Sequence, residues 1–289
     1  MIYPNLGFMS RILAIISVGV LVWSLSSCKK RKLNRDTTTS IDVSIIEGGF
    51  NDVQKVSEDA IKEESLEGKA TTGFRDIYGS PTITVTPAWP DTTFPKDIAI
   101  DFGTGTTDWL GRTRKGIINI NATAMYKDPG AVFTIVPDNY YIEDYKVEGQ
   151  KVVTNKGRNG AGNINYTIEI NNGRLTTPDG DVASWESNRN REWSAGEGTN
   201  WLSNGLSGIL DDVYTITGSA NGVNRLGREF DLVITSPLIV ALDCKWIKKG
   251  TFEMQPEDLD LRTFDYGSGD CDNEATVEID GRTYNIVMW

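Results

Sequence analysis

The chemistry open to this chain is limited first by a residue type it lacks. Its 289 residues contain no histidine. That removes Ser-His-Asp and Cys-His nucleophile systems and the common histidine-bearing zinc sites. Acid–base work would have to fall to Asp, Glu, Lys or Tyr. Forty acids against 29 bases guarantee that some carboxylates lie close together. Glycoside hydrolysis, however, needs two carboxyls roughly 5–10 Å apart in a cleft, and no pair stands out by spacing. No catalytic residue is assigned, and the chain reads as non-enzymatic with no cofactor. Its net charge of −11 argues against nucleic acid as a partner, because a phosphate backbone calls for a basic face.

Two stretches carry binding chemistry. Trp185-Glu186-Ser187-Asn188-Arg189-Asn190-Arg191-Glu192-Trp193, with Trp201 beyond it, combines rings that stack on sugars with groups that hydrogen-bond hydroxyls. The same stretch also reads as a half-buried strand with Trp185, Arg189 and Trp193 on one face, and sheet packing is the preferred reading. The segment 265–274 places Asp265, Asp270 and Asp272 in a Gly-containing loop, an oxygen-rich arrangement that can hold Ca²⁺ weakly. It lacks EF-hand spacing and Cys271 interrupts it, so a turn capped by Asp side chains is preferred and no metal is assigned.

The elements that would position these residues begin with a leader. Arg11 precedes a nearly unbroken apolar run from Ile12 to Leu25, followed by Ser26, Ser27 and Cys28. A short apolar run between a cation and small residues is a signal-peptide pattern. It is shorter than the roughly 20 residues of a spanning helix. Leu25-Ser26-Ser27-Cys28 resembles the lipobox of bacterial lipoproteins. That resemblance implies cleavage before Cys28, a diacylglyceryl group on its thiol and attachment to a membrane. Cys244 and Cys271 then remain as an even pair in an oxidising compartment, where a disulfide is expected.

Hydrophobic periodicity divides the rest. Phe50, Val53, Val56, Ala60 and Ile61 recur at helical spacing among charged residues, which predicts one amphipathic helix. From Pro81 onward, short alternating or β-branched runs are separated by turn dipeptides such as Asn172-Gly173, Asp179-Gly180, Asn221-Gly222 and Asp280-Gly281. This predicts an all-β fold, an antiparallel sandwich or open barrel of many short hairpin-linked strands preceded by the helix. The expected divisions are a signal peptide over 1–27, a lipidated tether over 28–47, helix and linker over 48–80, and the β domain over 81–289. Asp101-Phe102-Gly103-Thr104-Gly105 is echoed by Asp265-Tyr266-Gly267-Ser268-Gly269, through either two related β units or reused turn chemistry; one domain is preferred.

Those echoed residues, with Gly111-Arg112-Thr113-Arg114-Lys115-Gly116 and Cys271-Asp272-Asn273, resemble uncharacterised envelope lipoproteins of Bacteroidota. The resemblance spans most of Pro81 to the end and implies no known activity. The resulting expectation is a lipid-anchored envelope protein, a structural or binding module whose partner is the membrane and an envelope protein or glycan. The alternative is a glycan-binding accessory protein or a histidine-free carboxylate glycosidase. Location at the outer membrane or cell envelope is expected. Lys29, Lys30, Arg31 and Lys32 beside the anchor favour a periplasm-facing position over surface display.

Overall fold

The computed structural model describes residues 35–65 and 77–288, without the side chains of 63–65, 201 and 202. Two compact units divide the chain, Met1–Thr37 and Thr38–Trp289. The first, which contains Cys28 and the expected leader, lies almost wholly outside the described residues.

The helix starts ten residues before the expected boundary. Helix α1 spans Thr38–Ser65, so residues 38–47 of the expected tether are helical. Local propensity there is weak, but Val43 and Ile46 are buried, and tertiary burial rather than propensity decides most helices. The expected stripe of Phe50, Val53, Val56, Ala60 and Ile61 is buried too. It is not the only buried face. All ten residues from Asp52 to Ile61 are buried, nearly three turns of helix. A helix covered on every side must be enclosed by its surroundings.

The enclosure is one antiparallel sheet, with fourteen strands among the described residues. Its first half is β1 (Thr82–Thr86), β2 (Lys96–Asp101), the short β3 (Thr106–Thr107), β4 (Thr113–Ala122), β5 (Val132–Ile142), β6 (Tyr145–Arg158) and β7 (Ile164–Thr176). Its second half is β8 (Val182–Ala195), β9 (Val213–Val223), β10 (Glu229–Ala241), β11 (Lys249–Pro256), β12 (Arg262–Ser268), β13 (Glu274–Ile279) and β14 (Arg282–Val287). Strands pair in chain order except that β2 joins β4 and β3 hangs on β4. β1 and β14 remain edges, so the sheet is an open barrel. Two short helical turns, α2 (Trp201–Asn204) and α3 (Ser207–Leu210), interrupt the meander between β8 and β9.

Register shifts let this long sheet curl around α1. They occur in successive ladders from β4/β5 to β11/β12. A bulge bends its strand and increases its twist. At the shift between Lys115 and Ile117, Gly116 holds φ +87°, and a Cβ there would sit 1.9 Å from the Asn139 carbonyl oxygen.

Several expected turns prove to be strand instead. Asp179-Gly180 and Asp280-Gly281 do turn hairpins, with positive φ at Gly180, Asp280 and Gly281. Asn172-Gly173 is a bulge within β7. Asn221-Gly222 runs through β9, where Gly222 is required because a Cβ would lie 2.1 Å from the Ser184 carbonyl oxygen. The tight hairpin between β5 and β6 instead uses Glu143 and Asp144, both at positive φ and neither a glycine. β12 takes in residues 265–268 of the expected loop, and Phe264 and Tyr266 point inward from it.

Replacing Gly116 by Ala is expected to destabilise the fold by about 2–4 kcal/mol, since the bulge must relax both a clash and a left-handed backbone. Urea denaturation monitored by tryptophan fluorescence checks this; an unchanged midpoint would show that the bulge does not set the curvature.

Candidate functional site

The candidate site is the interior of the barrel, where α1 meets the inward faces of the strands. The helix carries Asp42, Glu47, Asp52, Lys55, Glu58, Asp59 and Lys62, and each has a partner on the enclosing chain. Burying an unpaired charge is costly, so the inward strand faces must supply counterions.

Near the start of α1, Asp42 pairs with Arg225 at 3.1 Å, and Glu47 pairs with Arg189 of β8. At mid-helix, Arg114 Nε donates to Asp52 Oδ2 at 3.0 Å and its Nη1 to Asp108 at 2.8 Å. Arg112 lies 3.2 Å from Asp52, and the Tyr140 hydroxyl donates to Asp52 at 2.7 Å. Burial pushes the Asp52 carboxyl up, but Arg114, Arg112 and Tyr140 outweigh it and hold the group at about 2. Asp59 accepts a hydrogen bond from Tyr78 at 2.6 Å.

Two lysines at the contact between α1 and its enclosure, Lys55 and Lys151, have backbone acceptors. Lys55 Nζ donates to the carbonyls of Ala241 (3.2 Å) and Cys244 (2.8 Å), and Lys151 of β6 donates to Phe50 O of α1 at 2.9 Å. Burial brings both amines down to about 7. For Lys55, Arg112 and Arg191 add to that effect while Asp52 and Asp59 oppose it; for Lys151, Glu47 opposes burial. A neutral amine still has two N–H donors, enough for the two carbonyls at Lys55.

At the far end of α1, Glu58 pairs with Arg191 of β8 and accepts from Tyr214 of β9. Lys62 reaches Glu58 at 2.8 Å and Asp212 at 2.7 Å. Tyr126, Tyr166, Trp193 and Tyr214 surround this cluster, with Tyr126 stacked on Tyr166 at 4.9 Å and Trp193 on Tyr214 at 5.8 Å.

The residues singled out from sequence fall as follows. Trp185 and Trp193 are 1% and 3% exposed, and Arg189 is bound to Glu47. They share one face as expected, but that face looks onto α1. The glycan-contact reading of these three is therefore corrected: no ring faces solvent. Trp201 opens α2, and its side chain is outside the described residues. The Cys244–Cys271 disulfide is present, with Cα atoms 5.7 Å apart. Asp265 accepts from Gly267 N, Asp270 from the Ser268 hydroxyl and Asp272 from Glu274 N. Each carboxylate is thus used in its own turn, and no metal-holding cluster of acids or cysteines occurs among the described residues. Asp101 caps Gly103 N as Asp265 caps Gly267 N, with Phe102 and Tyr266 buried behind, so the echoed segments share turn chemistry within one sheet.

The buried charge network was missed, though its signal was legible. Arg189 and Arg191 share parity with Trp185 and Trp193, and Arg114 shares parity with inward Ile118 and Ile120. An arginine at a core-facing strand position calls for a buried acid or carbonyl acceptor near it.

On the outside of the same strands, Glu186 and Asn188 line an open groove of about 370 Å³ with Glu169, Asn171, Asn221 and Asp231. A neighbouring groove of about 530 Å³ shares Glu186, Asn221 and Asp231. Neither is lined by a described Lys or Arg. No protein family, curated protein or solved structure matches the chain.

Lys55 and Lys151 make stability depend on pH. Their folded values, about 7, lie below the ordinary 10.5. Between those limits the unfolded chain holds protons that the folded chain does not, so stability rises with pH and falls again as pH drops toward 7. Unfolding free energy is expected to be greater at pH 9 than at pH 7 by roughly 2–4 kcal/mol, and Lys151→Met is expected to remove about half of that difference. Urea titrations of both forms at the two pH values check this; equal stabilities would place both lysines outside the linkage.

Proposed function

We propose that the chain is a non-catalytic module of a bacterial cell envelope, held to a membrane by lipid at Cys28 and presenting the outside of its barrel to partners. The observation that carries this reading is the filling of the barrel by α1. A calyx for a small ligand keeps its interior open; here the helix and its charge pairs occupy that space, which leaves the outer face for recognition. The lipobox at Leu25–Cys28 supports the anchor, and the basic residues Lys29 to Lys32 support a periplasm-facing position.

The outer groove across β7 to β10 favours a second reading, a hydroxyl-rich glycan as the partner. Its carboxylates and amides accept and donate to hydroxyls, and they lie on the opposite parity of β8 from the buried tryptophans.

In a bacterium that processes lipoproteins, the wild-type chain is expected to incorporate an alkyne-tagged fatty acid and to sediment with membranes. Cys28→Ser is expected to lose both behaviours. Unlabelled, soluble wild-type protein would overturn the anchor. For the glycan reading, migration of the folded chain through polysaccharide gels is expected to be retarded, and Glu186→Ala with Asn188→Ala is expected to restore free migration. Free migration of the wild type in every gel leaves an envelope protein as the partner class.

A further inference from the structure

The cluster at the end of α1 brings an amine and a carboxyl into reacting contact. Lys62 Nζ is 2.7 Å from Asp212 Oδ2 and 2.8 Å from Glu58 Oε1. The amine lies 3.8 Å from the Trp193 ring centroid and 5.4 Å from those of Tyr126 and Tyr214. The Asp212 and Glu58 side chains are 4% and 1% exposed. Lys62, Asp212 and Glu58 line none of the cavities described above, so these groups have one another, rather than an outside substrate, as reaction partners.

We propose that Lys62 and Asp212 condense to an intramolecular amide that joins α1 covalently to the residue immediately before β9. Glu58 is placed to take a proton from the Lys62 ammonium, freeing the amine lone pair. Nζ then attacks Asp212 Cγ. The Trp193 indole N–H donates to Asp212 Oδ1 at 2.9 Å, where it stabilises the oxyanion of the tetrahedral intermediate. Glu58 passes that proton to Oδ2 and then relays a second one from the attached nitrogen, and the Tyr214 hydroxyl, 3.3 Å from that oxygen, supports the leaving side. The Cγ–Nζ bond forms, the Cγ–Oδ2 bond breaks, and Oδ2 departs as water with two of the three ammonium protons. No oxidant, reductant or co-reactant is needed.

Two physical terms drive the step. Groups held in contact react as if at effective molarities of about 10⁵–10⁸ M. The amide also removes two charges from an aromatic enclosure, while Glu58 keeps Arg191 as its counterion. The link spans 150 residues of sequence. It is independent of the lipid anchor, so either proposal can fail without the other.

Mass spectrometry of the purified full chain tests this, after reduction of the disulfide. The expected result is a mass lower than the processed sequence by one water, and a branched peptide after proteolysis that joins the Lys62 and Asp212 fragments. Lys62→Arg keeps the charge pair but is expected to show the full sequence mass, and Glu58→Gln is expected to leave most of the chain unlinked. Wild-type protein at full mass, with both residues in linear peptides, would overturn the proposal. So would a loss of water without the branched peptide, since closure of Asp212 onto its own backbone gives that result.

Discussion

The fold depends on one requirement: a helix bearing seven charged side chains between Asp42 and Lys62 must be enclosed on every side, and each of these charges must find a counterion or hydrogen-bond partner there. Removing one member of a buried pair costs about 3–5 kcal/mol, because it strands the other in a medium that solvates it poorly. Asp52 shows how fully the requirement is met. It collects two guanidinium groups and a phenol, and Asp108 in turn neutralises the surplus positive charge on Arg112 and Arg114. The strands are placed by these pairings as much as by apolar contact. Arg112 and Arg114 near the start of β4 both address Asp52, while Arg189 and Arg191 in β8 and Arg225 after β9 address Glu47, Glu58 and Asp42 on other turns of α1. Shifting any of these strands by one residue would turn its arginine outward and leave an acid of the helix stranded.

The same requirement explains the bulges. An apolar helix would accept a rotation inside the barrel at small cost, whereas a helix fixed by directional ion pairs needs each strand at a set height. Irregularities at Gly116, at Glu148-Gly149-Gln150 and at Lys249-Gly250-Thr251 adjust the register between successive strands while the sheet curls. Glycine serves there because the neighbouring strand's backbone passes within the space a Cβ would fill.

Much of this architecture was legible from residue order. Alternation from Pro81 onward gave the all-β class, and the spacing of Phe50, Val53 and Val56 gave the helix. The cysteine count anticipated the pairing of Cys244 with Cys271. What was not legible is what the polar residues face. A helix with acids on one side and valines on the other has the same periodicity whether the acids meet water or buried arginines, and period alone carries no information on which. The Asn-Gly and Asp-Gly dipeptides were ambiguous for a similar reason. Asp280-Gly281 turns a hairpin and Asn221-Gly222 does not, because the second glycine answers to the closeness of Ser184 in another strand. In β8 the sequence located a functional-looking stretch, but its two faces have opposite destinations. Trp185 and Trp193 go to the core, while Glu186 and Asn188 reach the open groove.

Position along the chain adds a mechanical consequence to the proposed anchor. Cys28 precedes the first residue of α1 by ten positions in sequence, so the chain that leads from the proposed anchor enters the described fold through the N-terminus of α1. A load carried by that chain would reach α1 before any strand, and apolar packing alone resists sliding poorly, since one methyl row replaces another after a turn. Ion pairs at Asp42, Glu47, Asp52 and Glu58 do not slide in this way. Advancing the helix by one turn breaks all of them together and parts each arginine from its acid. The resistance is therefore shared along the length of the helix and rises with every pair added. On this view the charge inside the barrel is what makes a helix suitable as the link between an anchored terminus and the sheet around it.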